Sequence, residues 1–179
     1  MLVILDRDGV INADSSEYIK SPEEWLAIPG SLEAIAKLNQ AGHQVVVVTN
    51  QSGVGRGYYD EQTLENIHQK MTRALAAVGG HLDGIFYCPH SPEDQCSCRK
   101  PKPGLLYQVA AMFPTDFTDA VLVGDSLRDY QAAQAVSCKF ILVKTGNGEK
   151  VLAEGKLPVG VDVYEDLAAY VNYRLKSPN

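Results

Sequence analysis

The sequence predicts an α/β fold built on a doubly wound, mostly parallel sheet. Five short apolar runs recur along the 179 residues, and segments of helical periodicity lie between them. The runs are continuous rather than alternating, which is typical of strands that are covered on both faces. Strands that alternate with helices in this way form parallel sheets. Ligands in such folds bind beyond the carboxyl ends of the strands.

The predicted strands are rich in β-branched and aromatic residues, which suit a buried, pleated surface. They comprise Leu2 to Leu5, Gln44 to Val48, Gly84 to Tyr87, Ala120 to Val123 and Lys139 to Val143. Helices are predicted between them from apolar residues at helical spacing. They comprise the segments from Ser31 to Gly42, Leu64 to Val78, Leu105 to Met112, Leu127 to Ala133 and Leu167 to Leu175.

Two details of these helices are also predicted. Ser31 is expected to cap the first helix, because a serine hydroxyl accepts a hydrogen bond from a free backbone N–H, and Gly42 is expected to end it. In the second helix we expect Leu64 and Met71 to face the core. His68 is expected on the polar side of that helix, in solvent.

The composition excludes several classes of function. A net charge of −6 repels nucleic acid and anionic membranes at long range. The opening stretch MLVILDRDGVIN reaches charged residues too early for a signal peptide, and no apolar run approaches the ~20 residues needed to cross a bilayer. We therefore expect a cytosolic chain, with residues 1–179 in one domain.

Three of the four cysteines lie within eleven residues, in the stretch CPHSPEDQCSC. Cys88, His90, Cys96 and Cys98 provide four ligands at compact spacing, enough for a closed tetrahedral zinc site. A closed site is structural, and here it would stiffen the loop 88–103. The alternative is a set of free, redox-active thiols on a surface loop. The fourth cysteine, Cys138, is expected in the core.

Polar side chains follow the predicted strands and would meet at one edge of the sheet. Asp6 and Asp8 follow the first strand, Thr49 the second and Asp125 the fourth, while Lys100 lies beyond the third. Three converging carboxylates repel one another unless a cation lies between them, and Mg²⁺ prefers oxygen ligands. The alternative is that Asp6 caps a turn and that Asp125 caps the following helix.

Four motifs make the chain similar to the haloacid dehalogenase superfamily. LDRDGVIN resembles its nucleophile motif, VVVVTNQSG its second motif, Arg99-Lys100-Pro101 its lysine motif and VGDSLRD its acidic motif. They occur in the family's order over residues 2–129. The resemblance implies a Rossmann-like haloacid dehalogenase fold with no large cap domain and a small zinc-stabilised loop. Within the superfamily, LDRDG, TNQ, CPH and C-x-CRKP resemble the heptose 1,7-bisphosphate phosphatases and the histidinol-phosphate phosphatases.

The resemblance also implies a role for each site residue. Asp6 would be the nucleophile that becomes an aspartyl phosphate, and Asp8 the general acid and base. Mg²⁺ would be held by Asp6, the main-chain carbonyl of Asp8 and Asp125, with Asp129 one shell further out. Lys100 and Thr49 would stabilise the transferred phosphate. The implied substrate contacts are Asp14, Asn50, Gln51, Ser52, Arg56 and Arg99. For residues 14–17 the alternative is a solvated loop.

Three hypotheses of function follow. The first is a Mg²⁺-dependent phosphatase that removes the C7 phosphate of D-glycero-D-manno-heptose 1,7-bisphosphate in nucleotide-heptose and lipopolysaccharide precursor biosynthesis. TNQSGVGRG, with Ser52 and Arg56, favours this enzyme over the second hypothesis, a histidinol-phosphate phosphatase. The third is a phospho-accepting receiver domain, which Asp8 disfavours. For the first, the expected partner is a small sugar bisphosphate, and analogy alone indicates a monomer.

Overall fold

The computed structural model describes residues 1–177 and contains a six-stranded sheet between two layers of helices. The strands are β1 (Leu2–Leu5), β2 (Gln44–Asn50), β3 (Gly84–Cys88), β4 (Ala120–Gly124), β5 (Lys139–Val143) and β6 (Asp162–Tyr164). The helices are α1 (Ser31–Gln40), α2 (Ser52–Gly55), α3 (Glu61–Ala77), α4 (Gly104–Met112), α5 (Leu127–Ala135), α6 (Gly148–Glu154) and α7 (Leu167–Lys176). Single 3₁₀ turns lie at Pro22–Glu24 and Pro92–Asp94.

The strands pair in parallel in the order β3-β2-β1-β4-β5-β6, which confirms the predicted doubly wound sheet. Because β1 pairs with both β2 and β4, the strand order reverses at β1. A crevice opens at such a reversal, at the carboxyl ends of the two central strands. The fold therefore places residues that follow β1 and β4 side by side.

Two apolar clusters cover the two faces of the sheet. Alternate strand residues such as Val3 and Val121 belong to the first cluster, with residues of α1, α3 and α7. Their neighbours, such as Ile4 and Leu122, belong to the second, with residues of α4 and α5. The strands β1, β2, β4 and β5 thus bury both of their faces, which explains why their apolar runs are continuous. Cys138 lies in the second cluster, as predicted.

The structure differs from the expected elements in length, in number and in one cap. β2 extends beyond Val48 to Asn50, and the helices α2 and α6 and the strand β6 were not predicted. Each of these three elements is short, so its periodicity gives little signal. Ser31 was predicted to cap α1, but Gly30 holds the N-cap position, and the Ser31 hydroxyl donates to the Val10 carbonyl at 2.8 Å.

His68 was expected in solvent, and this prediction is wrong. The residue is only 4% exposed. It follows Leu64 by one helical turn and precedes Met71 by three residues, so it lies on the buried side of α3. The buried side of α3 therefore includes this polar residue as well as the apolar ones.

Within residues 1–177, no helix is both long and apolar enough to span a bilayer.

Candidate active site

A polar cavity of about 200 Å³ lies at the reversal of strand order. Its lining comprises Asp6, Asp8, Asp14, Ser15, Asn50, Ser52, Arg99, Lys100, Asp125, Ser126, Arg128, Asp129 and Asn147. Five of these side chains are carboxylic acids and three are cationic, so the ionised cavity carries an excess of two negative charges. That excess is the charge of one divalent cation.

Three carboxylates converge at the floor of the cavity. One ligand oxygen each from Asp6, Asp125 and Asp129 lies within 4.8 Å of the others. Burial raises the pKa of Asp6 well above its ordinary value, and the neighbouring Asp129 raises it further. The same two causes raise the pKa of Asp125 to about 7. Carboxylates that repel one another in this way form a set of hard oxygen donors, which fits Mg²⁺.

Lys100 lies beneath these carboxylates and is 3% exposed. Its ammonium group donates to Asp129 Oδ1 at 2.7 Å and to the Val48 carbonyl at 2.8 Å, and it lies 3.0 Å from Asp6 Oδ1. Burial lowers the pKa of Lys100, but Asp129 and Asp6 more than offset it, so the net shift is upward. The three N–H groups of the lysine thus have protein acceptors, and Lys100 acts on a ligand through its charge.

Asp8 is held in one orientation by four donors. Its Oδ1 accepts from Arg7 Nε at 3.0 Å, Arg7 Nη2 at 2.8 Å and Asn12 Nδ2 at 2.9 Å, and its Oδ2 accepts from Gln51 Nε2 at 2.9 Å. Burial opposes the charged form, but the guanidinium of Arg7 and these hydrogen bonds lower the pKa of Asp8. Because three donors crowd Oδ1, Oδ2 is the oxygen that remains available to a ligand.

Asp125 is fixed by the loop that follows β5. Its Oδ2 accepts from the Asn147 backbone N–H at 2.8 Å and from Asn147 Nδ2 at 3.3 Å. A Cβ atom at Gly9 or Gly146 would overlap this oxygen, so both positions need glycine. The alternative for Asp125, a cap on α5, is wrong, because Ser126 holds the N-cap position. The Ser126 hydroxyl accepts from the Asp129 backbone N–H, and the Asp129 carboxylate accepts from the Ser126 backbone N–H. Because both hydrogen bonds from Asn147 go to Oδ2 of Asp125, Oδ1 of Asp125 remains available to a cation.

Two arginines make part of the cavity lining cationic. Arg99 and Arg128 line it together. Burial and then the charge of Arg128 lower the pKa of Arg99. Arg99 Nη1 is buried and finds no hydrogen-bond partner within residues 1–177. Two neighbouring guanidiniums, one with an unsatisfied donor, have the charge and the hydrogen-bond donors that a phosphate group needs.

Most of the residues predicted for the site lie together. Asp6, Asp8, Asp14, Asn50, Ser52, Arg99, Lys100 and Asp125 all line the cavity. Thr49 and Gln51 are buried directly beneath it, where Gln51 Nε2 donates to Thr49 Oγ1 at 2.9 Å and Tyr59 donates to Gln51 Oε1 at 2.7 Å. Arg56 is exposed and lies outside the lining.

Two lining residues were missed by sequence reasoning. Arg128 lies in the first turn of α5, inside the acidic motif VGDSLRD, which predicted a role only for its aspartates. Asn147 follows β5, and the stretch KTGNG at the carboxyl end of that strand carries the same signal as the polar residues after the other strands. Arg128 had no such signal, because helical position rather than strand order directs it into the cavity.

The cysteine cluster lies beside the cavity, in the loop after β3. The ligand atoms of Cys88, His90, Cys96 and Cys98 all lie within 4.8 Å of one another. The Sγ atom of Cys96 is 3.6 Å from that of Cys88 and 3.6 Å from that of Cys98. Around tetrahedral zinc, with Zn–S bonds of about 2.3 Å, sulfur atoms are about 3.8 Å apart. The Sγ atoms of Cys88 and Cys98 are closer, at 2.9 Å.

The loop and the end of β2 are joined by a reciprocal pair of hydrogen bonds. The Lys100 N–H donates to Asn50 Oδ1 at 3.0 Å, and Asn50 Nδ2 donates to the Lys100 carbonyl at 3.0 Å. This pair fixes the backbone of Lys100 only two residues after Cys98. The position of the lysine in the cavity therefore depends on the conformation of the cysteine loop.

The chain is similar to a known family of phosphatases. A family model described as HAD-hyrolase-like matches residues 97–170. The chain is 55% identical to the D-glycero-beta-D-manno-heptose-1,7-bisphosphate 7-phosphatase of Bordetella bronchiseptica over 175 residues, which cover 98% of each chain. It is 51% identical to the protein of the same name from Pseudomonas aeruginosa, again over 98% of each chain.

Solved structures show the same likeness. The crystal structure of D,D-heptose 1,7-bisphosphate phosphatase from B. bronchiseptica, complexed with magnesium and phosphate, matches with a TM-score of 0.95 over 98% of each chain. The D,D-heptose 1,7-bisphosphate phosphatase of Burkholderia thailandensis is 48% identical and matches with a TM-score of 0.78 over 98% of this chain and 99% of that one.

Proposed function

We infer the function from the premise that the chain belongs to the family of the D-glycero-beta-D-manno-heptose-1,7-bisphosphate 7-phosphatases, within the haloacid dehalogenase-like hydrolases. The chain is a Mg²⁺-dependent phosphatase that removes the C7 phosphate of D-glycero-D-manno-heptose 1,7-bisphosphate, in nucleotide-heptose and lipopolysaccharide precursor biosynthesis. Identity of 55% over 98% of the chain carries this conclusion. The relatives are named for the β anomer, and we propose the same anomer here.

We propose that Asp6 Oδ2 attacks the phosphorus while the bond from phosphorus to the sugar oxygen breaks. Both protein donors of Asp6, Lys100 and the Arg7 N–H, approach Oδ1, which supports this choice of oxygen. Asp8 gives a proton to the departing sugar oxygen. Asp8 then takes a proton from a water molecule, whose oxygen attacks the aspartyl phosphate and releases inorganic phosphate.

The proton on Asp8 needs an origin, because Arg7 lowers the pKa of this carboxyl. A phosphate dianion beside Asp8 opposes the charge of Arg7 and favours the neutral acid. We propose that Asp8 takes up a proton when the substrate binds, and that Asp8 then donates this proton to the sugar oxygen. After the sugar leaves, the ionised Asp8 is the stronger base for the second step.

Mg²⁺, when bound, neutralises charge on the transferred phosphate. We propose that Asp6, Asp125 and the Asp8 carbonyl hold it. The fit rests on the three carboxylates with oxygens within 4.8 Å of one another, two of them buried, and on the negative excess of the cavity. The Asp129 carboxylate already contacts Lys100 at 2.7 Å and caps the N-terminus of α5. These contacts support a role for Asp129 beyond the direct ligands of the metal.

We propose that Arg99 and Arg128 bind the second phosphate, on C1. The unsatisfied Nη1 of Arg99 would then find an acceptor. Histidinol phosphate has no second phosphate, so this pair of arginines favours the bisphosphate. Asp14, Ser15 and Asn50 would contact the sugar, since they line the cavity between the two ends.

We propose that Cys88, His90, Cys96 and Cys98 hold a structural Zn²⁺. Four ligand atoms within 4.8 Å support a closed tetrahedral site, although Cys88 and Cys98 must move apart to reach the ideal geometry. Residues 1–179 would then form one phosphatase domain, with the zinc loop at 88–103.

Phosphate release from purified protein tests the function. We expect the β anomer of heptose 1,7-bisphosphate to be hydrolysed faster than the α anomer and faster than histidinol phosphate, and Asp8→Asn to abolish turnover. Comparable rates on all three substrates would contradict a dedicated heptose enzyme.

The arginine pair allows a sharper comparison of substrates. Arg99→Ala or Arg128→Ala should raise KM for the bisphosphate by about 10- to 100-fold, as the loss of a charged hydrogen bond predicts, and leave KM for heptose 7-phosphate unchanged. Arg73→Ala, on α3 outside the cavity, is the matched control. Equal effects on the two substrates would contradict a C1-phosphate site.

A further inference from the structure

Arg7 lies between the two acids of the site, yet its side chain points into the protein. The residue is fully buried and is not part of the cavity lining. Its Nε and Nη2 atoms donate to one oxygen of Asp8, at 3.0 and 2.8 Å. A buried guanidinium needs acceptors on its remaining side as well, because an unsatisfied buried donor is costly.

His68 of α3 satisfies the far side of this guanidinium. Its Nε2 lies 3.1 Å from Arg7 Nη1. An arginine in a protein has only donors and does not lose its proton, so Nε2 must be the bare acceptor of the ring. The ring proton is then on Nδ1. Burial and the charge of Arg7 lower the pKa of His68 to about 3, which agrees with a neutral ring.

We propose that His68 is a positioning residue of the phosphatase reaction: it fixes the guanidinium of Arg7, which in turn directs Asp8 Oδ2 toward the substrate. The inference rests on the proposed function, in which Asp8 is the acid and base. His68 touches neither the substrate site nor the reacting atoms, and it acts only through Arg7.

The hydrogen bonds to Asp8 and to Arg7 have distinct roles. Arg7 and Asn12 occupy Oδ1 of Asp8, while Gln51 approaches Oδ2 from the floor of the cavity. A guanidinium held only along its Nε–Nη2 edge can tilt about that edge, and Asp8 would tilt with it. The hydrogen bond from Arg7 Nη1 to His68 fixes the third nitrogen of the guanidinium. Because a misplacement of about 1 Å can cost about 10²-fold in rate, this tilt matters for proton transfer.

The competing explanation is that His68 only fills space in the core. Its ring centroid lies 6.1 Å from that of Tyr87, and it continues the buried stripe of α3. The two explanations differ in what a replacement must retain. Packing needs only volume, whereas positioning needs an acceptor at the place of Nε2.

A matched pair of variants separates them. Gln and Met have similar length and volume, but only Gln carries a strong acceptor near the position of Nε2. We expect His68→Gln to retain kcat within about 3-fold and His68→Met to lose about 10- to 100-fold in kcat, with KM and Mg²⁺ affinity within about 2-fold for both. His81→Met, at an exposed histidine far from the network, is the control and should match the wild type.

Equal kcat values for the Gln and Met variants, whether both high or both low, would overturn the proposal. Nitrogen NMR of the wild-type protein gives a second reading that does not depend on turnover or on the folding of a variant. A neutral His68 ring with its proton on Nδ1 at pH 6 supports the proposal, and a protonated ring or a proton on Nε2 overturns it. A wild-type chain that releases no phosphate from the bisphosphate would remove the proposed function and this inference with it.

Discussion

Replacing Lys100 with Met removes the one cation that contacts the buried acids Asp6 and Asp129 directly among the described residues. The side chains have similar length, so the change removes charge more than volume. We expect Lys100→Met to lower the unfolding free energy and to abolish turnover. It should also make stability depend more strongly on Mg²⁺.

The magnitude follows from the contacts of the ammonium group. It lies 2.7 Å from Asp129 Oδ1 and 3.0 Å from Asp6 Oδ1, and both acids are mostly buried. Removing one partner of a buried ion pair costs about 3–5 kcal/mol, because the other charge remains desolvated. The variant site then carries one further negative charge. If Mg²⁺ binds tenfold more tightly in response, saturating Mg²⁺ stabilises the variant by about 1.4 kcal/mol more than the wild type.

Urea unfolding at pH 7, with and without Mg²⁺, measures both quantities. Lys102→Met is the matched control, since Lys102 is an exposed lysine two residues further along the same loop. We expect that control to stay within about 0.5 kcal/mol of the wild type. A Lys100→Met chain that loses less than about 1 kcal/mol without Mg²⁺ and gains nothing extra from Mg²⁺ would refute the reasoning.

Two further predictions concern zinc and pH. Protein purified without chelator should contain about one zinc per chain, as one closed site requires, and Cys98→Ser should lose it while Cys138→Ala retains it. Elemental analysis checks this, and zinc-free wild-type protein would contradict it. The pKa of His68 is about 3 in the folded chain and about 6.5 when unfolded, so its contribution to stability is complete above pH 6.5 and decreases as pH falls. Between pH 7 and pH 5 the unfolding free energy of the wild type therefore falls by about 2 kcal/mol through His68. His68→Gln should lack that loss in urea unfolding. Equal losses in the two proteins would contradict a buried, neutral His68 ring.

The sequence predicts the convergent acids well, for a physical reason. Parallel strands end at one edge of the sheet, so residues that follow them meet there whatever their separation in the chain. Asp6 and Asp125 are far apart in sequence, yet they share the floor of one cavity. The four potential metal ligands Cys88, His90, Cys96 and Cys98 lie within one short loop, so their clustering follows from sequence spacing alone.

What the sequence does not predict depends on side-chain direction rather than on strand order. Arg128 enters the cavity because of its angle on the first turn of α5, and Asn147 because its loop folds back over Asp125. His68 was misjudged because a polar residue was assumed to face solvent. Its partner, the buried guanidinium of Arg7, becomes evident only when the core is assembled.

The central position of β1 also has a consequence for synthesis of the chain on the ribosome. Leu2 pairs with Gln44 on one side but with Ala120 on the other, so the second edge of β1 has no native neighbour until more than a hundred further residues have been translated. An apolar strand with a bare edge is a template for pairing with other chains. The nascent protein therefore presents this edge to other chains while β4 is still inside the ribosomal tunnel, and a chaperone that shields β1 during that interval would raise the yield of folded protein.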